Sequence, residues 1–145
     1  MTDTVTGLTW LKNANCFGGQ TYSAANQAAA GLADGQCGLT DGSSAGDWRL
    51  PTKAEWQATI ARAVALGCVF GATPPKNYPS LMNDPGTACL IEGPTSFAGV
   101  QIFYWSSSAD EGIPSAAWFV DLVLGNVNVG SKVFDAFVWP VRGGQ

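Results

Sequence analysis

Gly46-Asp-Trp-Arg-Leu-Pro-Thr52, with Glu55 three residues further on, is the stretch that organises this chain. Thr52 and Glu55 spell a capping box, in which the hydroxyl bonds the N3 amide and the carboxylate reaches back to the cap. Trp56, Ile60, Ala63 and Val64 follow as the buried stripe of that helix, and Gly67 stands just past its end. Upstream, Thr6-Gly-Leu-Thr-Trp-Leu11 reads as a strand with Leu8 and Trp10 on one face. Residues 21–33 read as a first helix through Tyr22, Ala25, Ala29 and Leu32, with Gly35 as its stop. Downstream, residues 68–98 are rich in Pro, Gly and Asn, and a loop of that length is functional or pinned. Strands then follow at 102–108, 116–123 and 126–129, with Gly125-Asn126 as a tight turn. A last strand spans 134–142, where Pro140 implies an edge or bulge. Helices and strands are segregated along the chain, which predicts an α+β fold: two helices on a mainly antiparallel sheet, with a long irregular loop region.

The 145 residues suit one domain over 1–145. Charged residues make up 12%, about half the usual share, so neutral polar side chains must cover much of the surface. Seven basic residues (Lys12, Arg49, Lys53, Arg62, Lys76, Lys132, Arg142) are scattered in a chain of net charge −4, and no stripe forms that would track phosphates. Nucleic acid is excluded as a partner on that ground. Membrane insertion by this domain is excluded too, because no apolar run approaches ~20 residues. The first residues carry no exporting segment.

Cys16, Cys37, Cys68 and Cys89 are widely spaced and lack the paired C-x₂₋₄-C ligands of zinc sites. An even count at wide spacing predicts two disulfides and an oxidising, extracellular or cell-surface location. Of three connectivities, Cys16–Cys37 with Cys68–Cys89 is favoured, each closing a short loop.

Several motifs together resemble a known family. They are Thr6-Gly-Leu-Thr-Trp10, the Gly46–Thr52 motif with Glu55, Tyr104-Trp-Ser-Ser107, Ala117-Trp-Phe-Val120, Gly125-Asn-Val127 and Val138-Trp-Pro-Val-Arg-Gly-Gly144. In this order they resemble the C-terminal domain of the Legionella collagen-like adhesin, a family of C-type lectin-like fold. The resemblance implies a bacterial surface or secreted module, and some relatives are variable proteins diversified by retroelements. In those, a recognition region corresponding to about 104–142 holds a rigid frame, matched here at Trp105, Trp118, Val120, Gly125, Val127, Lys132, Val141 and Arg142. Trp139 departs from the pattern, since arginine is more usual there.

Strand alternation gives the same region a physical reading. If Trp118, Val120 and Leu122 face the core, then Phe119, Asp121 and Val123 face out, as does Asn128. The predicted ligand-binding set is Asp110, Glu111, Ile113, Phe119, Asp121, Val123, Asn128, Val129, Ser131, Phe134, Asp135 and Trp139. A single exposed aromatic carries no meaning, but Phe119 and Phe134 beside Asp121 and Asp135 would make a mixed contact patch. Trp48, Trp105 and Trp118 read as core. Arg49 and Arg142 read as structural, paired with carboxylates or carbonyls.

The function this implies is a non-enzymatic display module that binds a protein target, with a retroelement as the source of its variation. The alternative is a calcium-independent adhesin for a host or bacterial surface glycan. Catalytic residues, cofactors and metals are all read as none. The chain has no histidine, so no Ser-His or Cys-His pair can form. A hydrolase built on Asp110, Glu111 and Asp121 is the remaining enzymatic alternative. Sugar-binding C-type lectins use Glu-Pro-Asn or Gln-Pro-Asp with Trp-Asn-Asp, and neither occurs here; Asp41 and Asp47 offer fewer ligands than calcium takes.

Overall fold

The computed structural model describes residues 2, 6–70 and 78–143. Lys76 lies outside the described residues.

The chain opens with β1 (Leu8–Trp10), followed by α1 (Tyr22–Ala30) and α2 (Lys53–Ala65). A short 3₁₀ turn at Leu90–Glu92 precedes β2 (Phe103–Ala109), β3 (Ala116–Asp121), β4 (Asn126–Ser131) and β5 (Val141–Gly143). Strands β2, β3 and β4 form an antiparallel meander, and β5 pairs antiparallel with β1 in a separate two-stranded sheet. The architecture is α+β, as the segregated pattern predicts.

Helix α2 begins where the capping box places it. The Thr52 hydroxyl accepts from the Glu55 amide at 3.1 Å, and Glu55 Oε1 accepts from the Thr52 amide at 2.8 Å. That carboxylate has a second task. Arg49 donates Nη1 to Oε1 at 2.6 Å and Nη2 to Oε2 at 2.8 Å, a bidentate pair. The same guanidinium donates to the carbonyls of Leu50 and Gly143, so one side chain ties α2 to the end of β5. Burial pulls the Glu55 carboxyl upward, but the Arg49 and Thr52 hydrogen bonds outweigh it and hold the group below its ordinary value.

Helix α1 is shorter than its periodicity predicts. It stops at Gly31, whose amide bonds Gln27 O at 3.0 Å, and Leu32 is buried just beyond the helix. Val64 also departs from the predicted stripe of α2: it is 37% exposed, while Trp56, Ile60 and Ala63 are buried.

The largest difference lies at the C-terminus. Residues 134–142 do not extend the meander as a strand. They thread between other segments, bonding Gln20 through Ala136, Phe103 and Trp105 through Phe137, and Leu11 through Pro140. Arg49 and Val141 then exchange two backbone bonds, at 2.8 and 2.9 Å.

This thread separates two apolar clusters. The larger gathers Leu8, Trp10, Trp56, Ile60, Tyr104, Val120, Leu122 and Trp139. The smaller gathers Ala25, Ala29, Leu50, Trp105, Ala117, Ala136 and Val138, with Phe119 and Tyr22 packed on it. The central sheet is therefore covered on both faces. Disulfides join Cys16 to Cys37 and Cys68 to Cys89, with Cα–Cα separations of 5.8 and 5.6 Å, the favoured connectivity. Each constrains the unfolded chain by about 3 kcal/mol.

Because the folded Glu55 carboxyl sits below its unfolded value, its contribution is present at neutral pH and fades as pH falls through the carboxylate range. Glu55→Gln should cost about 1–2 kcal/mol in urea unfolding at pH 7. Variant and parent should converge as the pH falls through and below the carboxylate range. A gap that stays constant with pH would assign the loss to geometry rather than charge.

Candidate recognition surface

Two loops meet at one end of the meander. The β2–β3 loop turns through Asp110, whose carboxylate accepts from the Gly112 amide at 2.9 Å and whose amide donates to Ala116 O at 3.0 Å. The turn after β4 is set by Phe134 N donating to Ser131 O at 3.1 Å. Lys132 joins the two loops. Its amide donates to Ser115 O at 2.9 Å, and its ammonium donates to Pro114 O at 2.7 Å. Its carbonyl accepts from the first amide of α1, Tyr22 N, at 3.0 Å. Behind the turn, Gln20 and Ala136 exchange two backbone bonds.

A fixed backbone therefore holds exposed apolar side chains. Val133 is 77% exposed, Phe134 65% and Ile113 51%. Glu111 and Asp135 are exposed beside them, and Asp110 and Ser131 are half-buried. Val133 is a member of this tip that the predicted set omits. Its signal was the run Val133-Phe-Asp-Ala136, which mixes apolar and acidic residues in a way no simple core pattern explains.

The structure does not bring the rest of the predicted set to this tip. Asn128 is exposed farther along β4, and its amide donates to Asn126 Oδ1 at 2.7 Å. Val123 and Val129 are half-buried.

Three residues need correction. Trp139 is only 1% exposed; its indole N–H donates to Leu11 O at 2.7 Å. Its ring packs edge-on against Phe97 at 4.9 Å and Trp10 at 5.1 Å, so it is core. Asp121 is 8% exposed. Its carboxylate accepts from the amides of Val123 at 2.9 Å and Leu124 at 3.1 Å and so builds the β3–β4 turn. Phe119 is half-buried: it stands edge-on to Phe103 at 5.7 Å and Trp105 at 6.3 Å, over the bare Gly130. Alternation assigned Phe119 and Asp121 to one face correctly, but the second cluster and the turn occupy that face. Trp118 departs in the other direction. It is half-buried rather than core, with the Lys53 ammonium 3.6 Å from its ring centroid.

The carboxylates proposed for hydrolysis do not converge. Asp110 is bonded to the first residue of β3 and Asp121 is the last, about 17 Å of strand apart. Paired glycosidase carboxylates lie within about 10 Å of each other. In the 41–47 loop, hydrogen bonds from Ser43, with the nearby Arg142 charge, hold the Asp41 carboxyl below its ordinary value. Among the described residues no cluster of three or more His, Cys, Asp or Glu forms a metal site, and no helix is long and apolar enough to cross a membrane.

A disulfide-closed α+β domain with an apolar tip set between carboxylates is the class that fold and surface define. The chain belongs to the Lcl C-terminal domain family, whose model matches residues 1–142. That is an adhesin-type family rather than a known enzyme family. Family and disulfides together point to an extracellular or surface location. No curated protein matches the chain.

Gly125 tests the structural role of the β3–β4 turn. Its φ is +74°, and an added Cβ would lie 2.6 Å from Val64 Cγ2 and 2.8 Å from Val69 Cγ1. Gly125→Ala should lose at least about 2 kcal/mol by thermal or urea unfolding. Asp121→Ala should lose about 1–3 kcal/mol through its two orphaned amides. Unchanged stability in both would remove the turn from the frame.

Proposed function

We propose that this domain is a non-enzymatic binding module that grips a protein target with the tip formed by Ile113, Val133 and Phe134. One observation carries the reading: these three side chains stand exposed on a backbone fixed by Lys132 and the Gln20–Ala136 bridge. A tip ordered before binding loses little conformational freedom on docking. Apolar anchors with a polar rim are the groups that carry interface energy.

The rim chooses the partner. Asp110, Glu111 and Asp135 flank the tip residues in the same two loops, while the Lys132 ammonium is occupied by Pro114 O and lies 5.3 Å from the Tyr22 ring centroid. The complementary surface is an apolar recess edged with Lys or Arg. A substitution at Val133 or Phe134 changes no core contact, so the tip also suits diversification by a retroelement. A neighbouring reverse transcriptase gene and a near-copy of the final coding segment, differing at adenines, are the genomic arrangement this predicts.

The double variant Val133→Ser, Phe134→Ala should leave stability within about 0.5 kcal/mol of the parent. The same change should weaken capture of surface-protein targets by tenfold or more, about 1.4 kcal/mol. Asn126→Ala, at the far end of β4, should leave capture intact. If the tip variant captures the same proteins with parental affinity, the tip is not the binding surface.

A further inference from the structure

The meander has two long edges, and the chain itself covers one of them. Along β2, the Phe137 amide donates to Phe103 O at 2.8 Å and the Phe137 carbonyl accepts from the Trp105 amide at 3.1 Å. The β4 edge has no such cover. Leu122 donates its amide to Ile102 O and Ala116 O accepts from the Asp110 amide, so the even-numbered residues of β3 turn toward β2. Ala117, Phe119 and Asp121 therefore turn toward β4, where they meet Gly130, Asn128 and Asn126. Backbone groups alternate along a strand, which leaves those of Val127, Val129 and Ser131 pointing away from the sheet. Ser131 O is taken by the Phe134 amide. Among the described residues nothing bonds the amide or carbonyl of Val127 or Val129.

A row of donors and acceptors at this spacing is matched by another strand. Proteins keep such edges from joining with charges, prolines or bulges. Here β4 reads Asn-Val-Asn-Val-Gly-Ser, with no charge and no proline, and its pairing with β3 is unbroken from Asn126 to Ser131. An open groove lies beside the edge, lined by Gln57, Ala61 and Val64 of α2 and by Gly125, Asn126 and Val127, again with no charge. Two copies can thus meet here without like charges facing each other, although each carries a net charge of −4. Asn128 is exposed and spends one N–H on Asn126 Oδ1 at 2.7 Å. It keeps a second N–H and its own carbonyl oxygen, the two halves of a self-complementary amide pair.

We infer that β4 is the seam of a two-fold homodimer, in which Val127 pairs with Val129 of a second copy and the two Asn128 side chains meet on the axis. Each Val127–Val129 pair exchanges both of its N–H···O bonds, and no group already bonded is used. Two three-stranded meanders then become one continuous sheet. Both free edges are consumed, so assembly stops at two copies. The strands run antiparallel across the seam, which sets the two apolar tips at opposite ends of the pair. The pairing does not depend on what the tip binds.

The test is sedimentation equilibrium from about 1 µM to about 1 mM, where the domain should pass from monomer to dimer with a dissociation constant of about 10–100 µM. Val129→Pro removes an outward N–H that the meander does not use, a position where proline is tolerated. It should keep the parental circular dichroism and thermal midpoint and remain monomeric. Asn128→Asp and Asn128→Lys should each weaken dimerisation at least tenfold, and an equimolar mixture of the two should restore it. The tip variant Val133→Ser, Phe134→Ala should dimerise as the parent does, so the seam and the tip fail separately. The inference is overturned if the parent is monomeric at about 1 mM, or if association continues past two copies. It is equally overturned if Val129→Pro dimerises as the parent does, or if the Asp and Lys variants associate no better together than alone.

Discussion

Everything in this domain hangs on a thread of eight residues, 136–143, that bonds in turn to four separate parts of the chain. Ala136 meets Gln20, Phe137 meets Phe103 and Trp105, Pro140 meets Leu11, Val141 meets Arg49, and β5 closes on β1. These bonds join segments far apart in the sequence. Their side chains carry the same message to opposite faces. Ala136 and Val138 enter the smaller cluster, while Trp139 and Val141 enter the larger. A backbone donor or acceptor orphaned in this position would cost about 1–3 kcal/mol, which favours the pairing made by Ala136, Phe137, Pro140 and Val141.

The tryptophans around it show how polar groups are accommodated in so apolar a centre. Trp56 donates to Trp105 O, Trp105 to Gln20 O and Trp139 to Leu11 O, each joining distant segments through one buried N–H. Tyr104 does the same with Ala14 O while accepting from the Gln101 amide, and its burial pushes the phenol above its ordinary range. These rings supply apolar area and fix the relative position of segments that share no strand pairing.

Much of this was legible in the residues. The capping box, the buried stripe at Trp56, Ile60 and Ala63, the Gly125 turn and the cysteine pairing all rest on local chemistry, and local chemistry is what a sequence displays. Of the candidate surface, only the exposure of the tip residues was legible. Ile113, Phe134 and Asp135 lie in turns, where no neighbouring layer competes for the side chain. Phe119, Asp121 and Trp139 lie where alternation gives the direction of a side chain but not what waits there. A sheet covered on one face and a sheet covered on both carry similar patterns over six residues. The difference was made here by Ala25, Ala29 and the closing thread, distant in sequence.

The positions of the two disulfides have a consequence for how the molecule can change. Both lie before residue 90, and neither encloses any part of the strands or the turn that carries Phe134. The cross-links therefore constrain one portion of the polypeptide, while the meander and the turn after β4 are held by hydrogen bonds and packing alone. A substitution at the tip leaves both covalent ties untouched.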